Sequence, residues 1–451
     1  MPLINRFRWS LVTTVFAGLV ACTNNDIDPN ANTGSAPSKG NADFTKYVAV
    51  GNSLTAGYAD GGVYRTSQLN SYPNILAGQF ATVGGGNFVQ PLFTEAQAAG
   101  SGYIKLTKIP NPSDPTSLAS SLAQVAPGAA RGGTTSGGAP LLTKFADANQ
   151  NLGVPGIKTA DILTPGYGST RGNQYFERLL PDATTNPASV TTTYLQYVSD
   201  NLNGATFFTS WLGNNDALAY ALAGGTGAEN TANGLTSTAL FTTNTTAIMN
   251  KLTEGSRKGV VIGIPNITAA PYFTTATAQI NALASAQGRT GLAIQSKSAP
   301  GGVRLSAAGD YFLLSLASVL SDFLAKGVGL SAANPVPDQY VLDASEVTAL
   351  NTRVNEFNAI LKAQADAKGL AYVDINPIFQ QIAQTGGYVL NGVTYSPAFI
   401  QGGVFSLDGI HLTPAGYALV ANEIIKGINT KYGSTIPQVN PASYRRVLLQ
   451  P

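Results

Sequence analysis

The sequence predicts an α/β protein in which a parallel sheet is buried between layers of helices. Three observations point there. Short unbroken runs of β-favouring residues recur at Tyr47–Val50, Ala205–Leu212, Gly259–Ile264 and Leu370–Val373. Strands covered on both faces read as continuous apolar runs, whereas half-exposed strands alternate. Amphipathic segments with recognisable caps follow the later runs, and each run ends at a residue that breaks a strand: Gly51, Gly213, Pro265 or Asp374.

Taken in order, the chain opens with Arg6 and Arg8 ahead of an apolar stretch from Trp9 to Val20. That stretch is short of the roughly 20 residues a spanning helix needs, so residues 1–22 read as a signal peptide. Its end, Leu19-Val20-Ala21-Cys22, resembles a bacterial lipobox and places the only cysteine of the chain where the lipid is attached. The resemblance implies a palmitate-type anchor on Cys22 and a place in the bacterial cell envelope, at the outer membrane. Residues 23–44 open with an Asn-, Ser-, Pro- and Gly-rich stretch that lacks apolar periodicity, and they read as a flexible tether.

The main domain is expected over residues 45–432. After the first strand, residues 81–150 are loose in texture, with Gly84-Gly85-Gly86 and a second glycine cluster from Arg131 to Gly138. They read as a surface insertion with short elements of its own. Asn151–Gly156 reads as a glycine turn. A second insertion is expected over 266–342. The helix that follows is the best specified, because Val347, Leu350, Val354, Phe357 and Leu361 form one apolar stripe. Asp343 with Glu346 suggests a capping box, and Gly369 a stop. Thr413-Pro414 begins a last helix carrying Tyr417, Leu419, Val420, Ile424 and Ile425. Residues 433–451 read as a tail with no assigned element.

Composition narrows the chemistry. At 451 residues and 44% hydrophobic, the chain can build one large core or two small ones. Only 11% is charged and the net charge is +2, so there is no basic field for nucleic acid. One histidine and one cysteine exclude intrachain disulfides, iron–sulfur clusters and His-rich zinc sites. A metal-dependent phosphoesterase also lacks ligands, and no metal or cofactor is implied. Any imidazole chemistry must run through His411.

In an open parallel sheet, ligands gather at the carboxyl ends of the strands. There the sequence sets Gly51-Asn52-Ser53-Leu54-Thr55, Gly213-Asn214-Asn215-Asp216 and, before the last helix, Asp408-Gly409-Ile410-His411. Acyl transfer needs a nucleophile, a base, a group that orients the base, and donors for the oxyanion. Ser53 at a strand-to-helix turn is a nucleophile candidate, and His411 is the sole imidazole. Asp408 lies three residues before it, within reach of the second ring nitrogen. Asn215 offers a side-chain amide and Gly156 an unhindered backbone N–H. Taken alone, most of these residues are more often a helix cap, a turn residue or, for the histidine, a surface or satisfied side chain; their order, their strand-end positions and the single histidine together point to a site.

These four blocks resemble the GDSL/SGNH hydrolase family. The resemblance implies a flavodoxin-like three-layer α/β/α sandwich and a serine esterase acting through an acyl-serine on carboxylic esters. It assigns Ser53, Asp408 and His411 as the catalytic triad, with Ser53, Gly156 and Asn215 as oxyanion donors. Asn52 stands where the family usually has Asp, and an amide there can both donate and accept hydrogen bonds. The expected substrate is an acylated glycan, a simple ester or a lipid. The rival reading is a catalytically silent lipoprotein that binds a glycan or lipid on the same fold.

Overall fold

The computed structural model describes residues 36–111, 117–145, 147–181 and 190–449. Cys22, the signal peptide and most of the expected tether lie outside these. The core sheet contains β1 (Tyr47–Gly51), β2 (Asn151–Gly153), β3 (Phe207–Trp211), β4 (Lys258–Ile262) and β5 (Ala371–Val373). All neighbours pair in parallel, in the order β5-β4-β3-β1-β2. This is the flavodoxin-like doubly wound order, whose direction of winding reverses between β1 and β3. The paired registers Gly51↔Gly153 and Gly51↔Trp211 bring the ends of three strands together at that reversal.

Eight helices matter for positioning the site: α1 (Ser53–Ala56), α2 (Tyr72–Ala81), α3 (Asn215–Leu222), α4 (Thr238–Leu252), α5 (Pro271–Ala286), α6 (Ala344–Ala367), α7 (Asn376–Ala383) and α8 (Pro414–Tyr432). On one face α8 packs against α2; on the other α6 packs against α3 and α4. The resulting three-layer α/β/α sandwich is the fold class expected from the sequence. Ring stacking marks both layers, Phe44 on Phe80 at 4.2 Å and Phe241 on Phe357 at 3.9 Å. The cap expectations hold for α6, where the Asp343 carboxylate accepts from Ser345 and Glu346 N–H while Glu346 accepts from Asp343 N–H. Thr413 caps α8 through Gly416 N–H at 3.0 Å.

Three expectations need correction, and one gains detail. Asn151–Gly153, read as part of a turn, is the edge strand β2. It escaped notice because it has three residues and a single large apolar side chain, Leu152. Gly153 is also required there, since a Cβ would lie 2.4 Å from the Ala56 nitrogen. The last nine residues of the expected tether, 36–44, are docked: Phe44 is buried and Asn41 N–H bonds the Tyr432 carbonyl. The segment 433–449 is no loose tail, because Ile436, Val439 and Leu448 are buried and Asn422 exchanges two hydrogen bonds with Val439. Finally, the insertion 266–342 holds its own apolar cluster, with Ile280, Ile294, Phe312 and Leu316 at its centre.

Candidate active site

Ser53 is the first residue of α1, directly after β1. The turn is fixed by Asn52, fully buried, whose Oδ1 accepts from Leu54 N–H at 3.0 Å and whose Nδ2 donates to Asn214 Oδ1 at 2.8 Å. An amide is suited to this position because it caps α1 and ties it to the β3 turn in one stroke. Gly51 is needed as well, since a Cβ there would meet Thr55 Oγ1 at 2.1 Å.

The loop before α8 brings the partners. His411 Nε2 lies 2.8 Å from Ser53 Oγ, and its Nδ1 lies 2.8 Å from Asp408 Oδ2. An ionised carboxylate only accepts, so Nδ1 carries the proton and donates it, leaving Nε2 to accept from the serine hydroxyl. Burial alone would raise the Asp408 carboxyl. The imidazole beside it and the N–H groups of Ile410 and His411 outweigh that and hold it well below the usual carboxylate range. Gly61 N–H adds a bond to Oδ2 at 3.0 Å.

The third part is the loop after β2. Asn173 Nδ2 donates to the Pro155 carbonyl at 2.7 Å, which fixes the peptide whose other end is the Gly156 N–H. Gly156 has φ 84°, in the left-handed region that glycine enters freely. Asn215 Nδ2 donates to the Ile157 carbonyl at 2.9 Å, leaving its second hydrogen free. Asp216, fully buried, accepts from Thr159 N–H at 2.6 Å, Ala160 N–H at 3.2 Å and the Thr236 hydroxyl at 2.7 Å. Burial pushes its carboxyl up to about 6 against those three bonds. The Asn214-Asn215-Asp216 run therefore clamps two loops: Asn214 holds the serine turn, while Asn215 and Asp216 hold the Gly156 turn. Among the described residues no hydrogen bond uses the N–H of Ser53 or Gly156.

The structure thus brings Ser53, His411 and Asp408 into one hydrogen-bonded chain and ties the Asn215 side chain to the loop that carries Gly156. It also shows residues that the sequence reading missed. The Tyr58 ring lies 4.4 Å from the His411 ring and is anchored by its hydroxyl on the Gly61 carbonyl. Ser406 Oγ accepts from Asp60 N–H and donates to Asp408 Oδ1. Asp60 Oδ1 accepts from Leu407 N–H at 3.0 Å, and Arg445 Nη2 lies 3.3 Å from its Oδ2. Only Tyr58 carried a signal, as the aromatic just past the glycine that ends the serine helix; the others are distant in sequence and carry no motif.

No curated protein matches this chain. Among solved structures it is similar to an extracellular lipase from Streptomyces rimosus at 13% identity, over 86% of this chain and 99% of that one, with a TM-score of 0.31. It is also similar to LAE5, an alpha/beta hydrolase from the metagenome of Lake Arreo in Spain, at 11% identity, over 86% of this chain and 96% of that one, with a TM-score of 0.35. The model of the GDSL-like lipase/acylhydrolase family matches residues 47–424. That span takes in the whole sheet and every residue of the hydrogen-bonded chain, and the protein belongs to the GDSL-like lipase/acylhydrolase family.

Proposed function

We propose that this protein is a serine esterase that hydrolyses carboxylic esters through an acyl-serine. The observation that carries the reading is the unbroken chain from Ser53 Oγ to His411 to Asp408, with both links at 2.8 Å. Family membership supports ester hydrolysis in general. In the first step Ser53 Oγ attacks the ester carbonyl as its proton passes to His411 Nε2, and Asp408 stabilises the imidazolium without taking the proton. The carbonyl oxygen becomes anionic facing the N–H groups of Ser53 and Gly156 and the free hydrogen of Asn215 Nδ2. The imidazolium gives its proton to the departing alcohol. Water, deprotonated by the same imidazole, then frees the acid and regenerates the serine.

Ser53→Ala should reduce p-nitrophenyl butyrate turnover by about 10³-fold or more with the fold intact. A fluorophosphonate probe should label Ser53 in the parent protein. Residual turnover above about a tenth of the parent value would require another nucleophile. Anchoring in the cell envelope through Cys22 belongs to the same reading and rests on the lipobox-like sequence.

A further inference from the structure

Beside Ser53 and His411 lies a cleft enclosing about 660 Å³ of empty space, its mouth included. No aspartate, glutamate, lysine or arginine lines it. Its walls are apolar: Leu54, Trp211, Leu218, Ile267, Phe379 and Phe405. The Trp211 Nε1–H is already spent on the Gly263 carbonyl, so the indole offers the cleft only its carbon surface. The amides present are partly committed. Asn214 Oδ1 accepts from Asn52, Asn215 donates to Ile157, and Asn266 Oδ1 accepts from Thr268 N–H and its hydroxyl. A sugar ring placed here would strip water from its hydroxyls and find few partners, which is costly. A carboxylate or phosphate would find no counter-charge.

We infer that this cleft seats the acyl chain of an aliphatic ester, so that the preferred substrates carry acyl groups well beyond acetyl. The inference rests on the esterase reading and selects among its substrates. The wall that would set chain length comes from outside the motif blocks. Ile267 and Ala269 belong to the turn opening the second insertion, Phe379 projects from α7, and Phe405 lies on the loop leading to Asp408. The Phe379 and Phe405 rings meet at 5.9 Å and form one side. Each methylene moved from water onto such a surface gains about 0.8 kcal/mol, roughly fourfold in affinity.

The experiment is a series of p-nitrophenyl esters from acetate to palmitate, run with acetylated xylan as competitor on the parent protein and two variants. In the parent, kcat/KM should rise at least about 30-fold from acetate to octanoate. Ala269→Phe, at a half-buried position, should lower the octanoate-to-acetate ratio of kcat/KM about tenfold or more. Phe379→Ala should move the optimum to longer chains. A parent profile that is flat or falls with chain length, or strong inhibition by acetylated xylan, would overturn the inference while leaving the esterase intact. Failure to turn over any ester, with Ser53 unlabelled by fluorophosphonate, would instead sink the esterase reading itself.

Discussion

Asp408 is held well below the usual carboxylate range, so it stays ionised on acidification, and on the proposed mechanism the base that acid can disable is His411. Protonated His411 cannot take the serine proton. The rate should therefore fall on acidification along a single limb, without unfolding. In Asp408→Asn the carboxylate no longer favours the imidazolium, so the limb should move to lower pH while the maximum rate drops. Profiles of kcat/KM for both proteins from about pH 5 to 8 check this, and a flat parent profile would remove His411 from the mechanism. Asn215→Ala deletes the tie to the Ile157 carbonyl and, on the proposed mechanism, one oxyanion donor. It should lower kcat by about 10²- to 10³-fold with little change in KM. These residues were legible in the sequence because acyl transfer demands those types and the chain offers a single imidazole. Asp60, Ser406 and Arg445 were not legible, since each acts by holding another residue, and no pattern in the sequence announces that.

At the scale of elements, period and caps explain what could be read. The α6 stripe and its capping box left little freedom, whereas β2, with three residues, left almost no periodic trace. The same capping box carries a cost. Burial pushes the Glu346 carboxyl up to about 7, with the nearby Asp343 and Asp338 charges adding to the rise and Asp343 N–H and Lys297 opposing it. The folded state then binds this proton more tightly than the unfolded chain. Its contribution is fully present below the ordinary carboxylate value and is lost as pH rises through about 7. Glu346→Gln keeps an acceptor for Asp343 N–H without the charge. Its melting temperature relative to the parent should therefore be higher at pH 8 than at pH 5, by about 2 °C or more. An equal difference at both pH values would refute the assignment.

The segment after α8 makes a second element-scale case. Arg445 Nη2 bonds the Tyr64 hydroxyl at 2.7 Å, and that hydroxyl donates to Asp60 Oδ2 at 2.6 Å. Asp60 in turn holds Leu407 N–H next to Asp408, and its own backbone sits at φ 54°, a conformation those bonds must maintain. Arg445 is thus a positioning residue acting through Asp60. Arg445→Met should lower kcat about tenfold with KM nearly unchanged and slow fluorophosphonate labelling in proportion, because a buried carboxylate loses its counter-charge. Asp60→Asn combined with Arg445→Met should recover part of the rate, since the unpaired charge is then gone. If the pair of changes were no better than Arg445→Met alone, the coupling through Asp60 would be wrong.

Over the whole molecule, the sheet separates two ends with different tasks. Ser53, Gly156 and Asn215 all follow the carboxyl ends of their strands. Residues 36–46 attach at the opposite end: Asn41 N–H bonds the Tyr432 carbonyl, the Lys258 side chain at the start of β4 bonds the Asn41 carbonyl, and Lys46 N–H bonds Thr206 just before β3. Five-residue strands at about 3.3 Å per residue put roughly 16 Å between these ends. The docked stretch was read as tether because its anchoring is tertiary: Phe44 is buried by Phe80 and Phe207, which lie far along the chain. An anchor on Cys22 would then pull on the end remote from the cleft, and the chemistry should be indifferent to it. Cys22→Ser should abolish palmitate incorporation and move the protein out of the membrane fraction or leave it unprocessed. Its kcat/KM on p-nitrophenyl butyrate, in the same detergent, should stay within about twofold of the anchored protein, as expected for a change remote from the reacting groups. Equal palmitate labelling of the Ser variant would exclude Cys22 as the attachment point, and a large loss of activity on release would mean that the two ends are coupled.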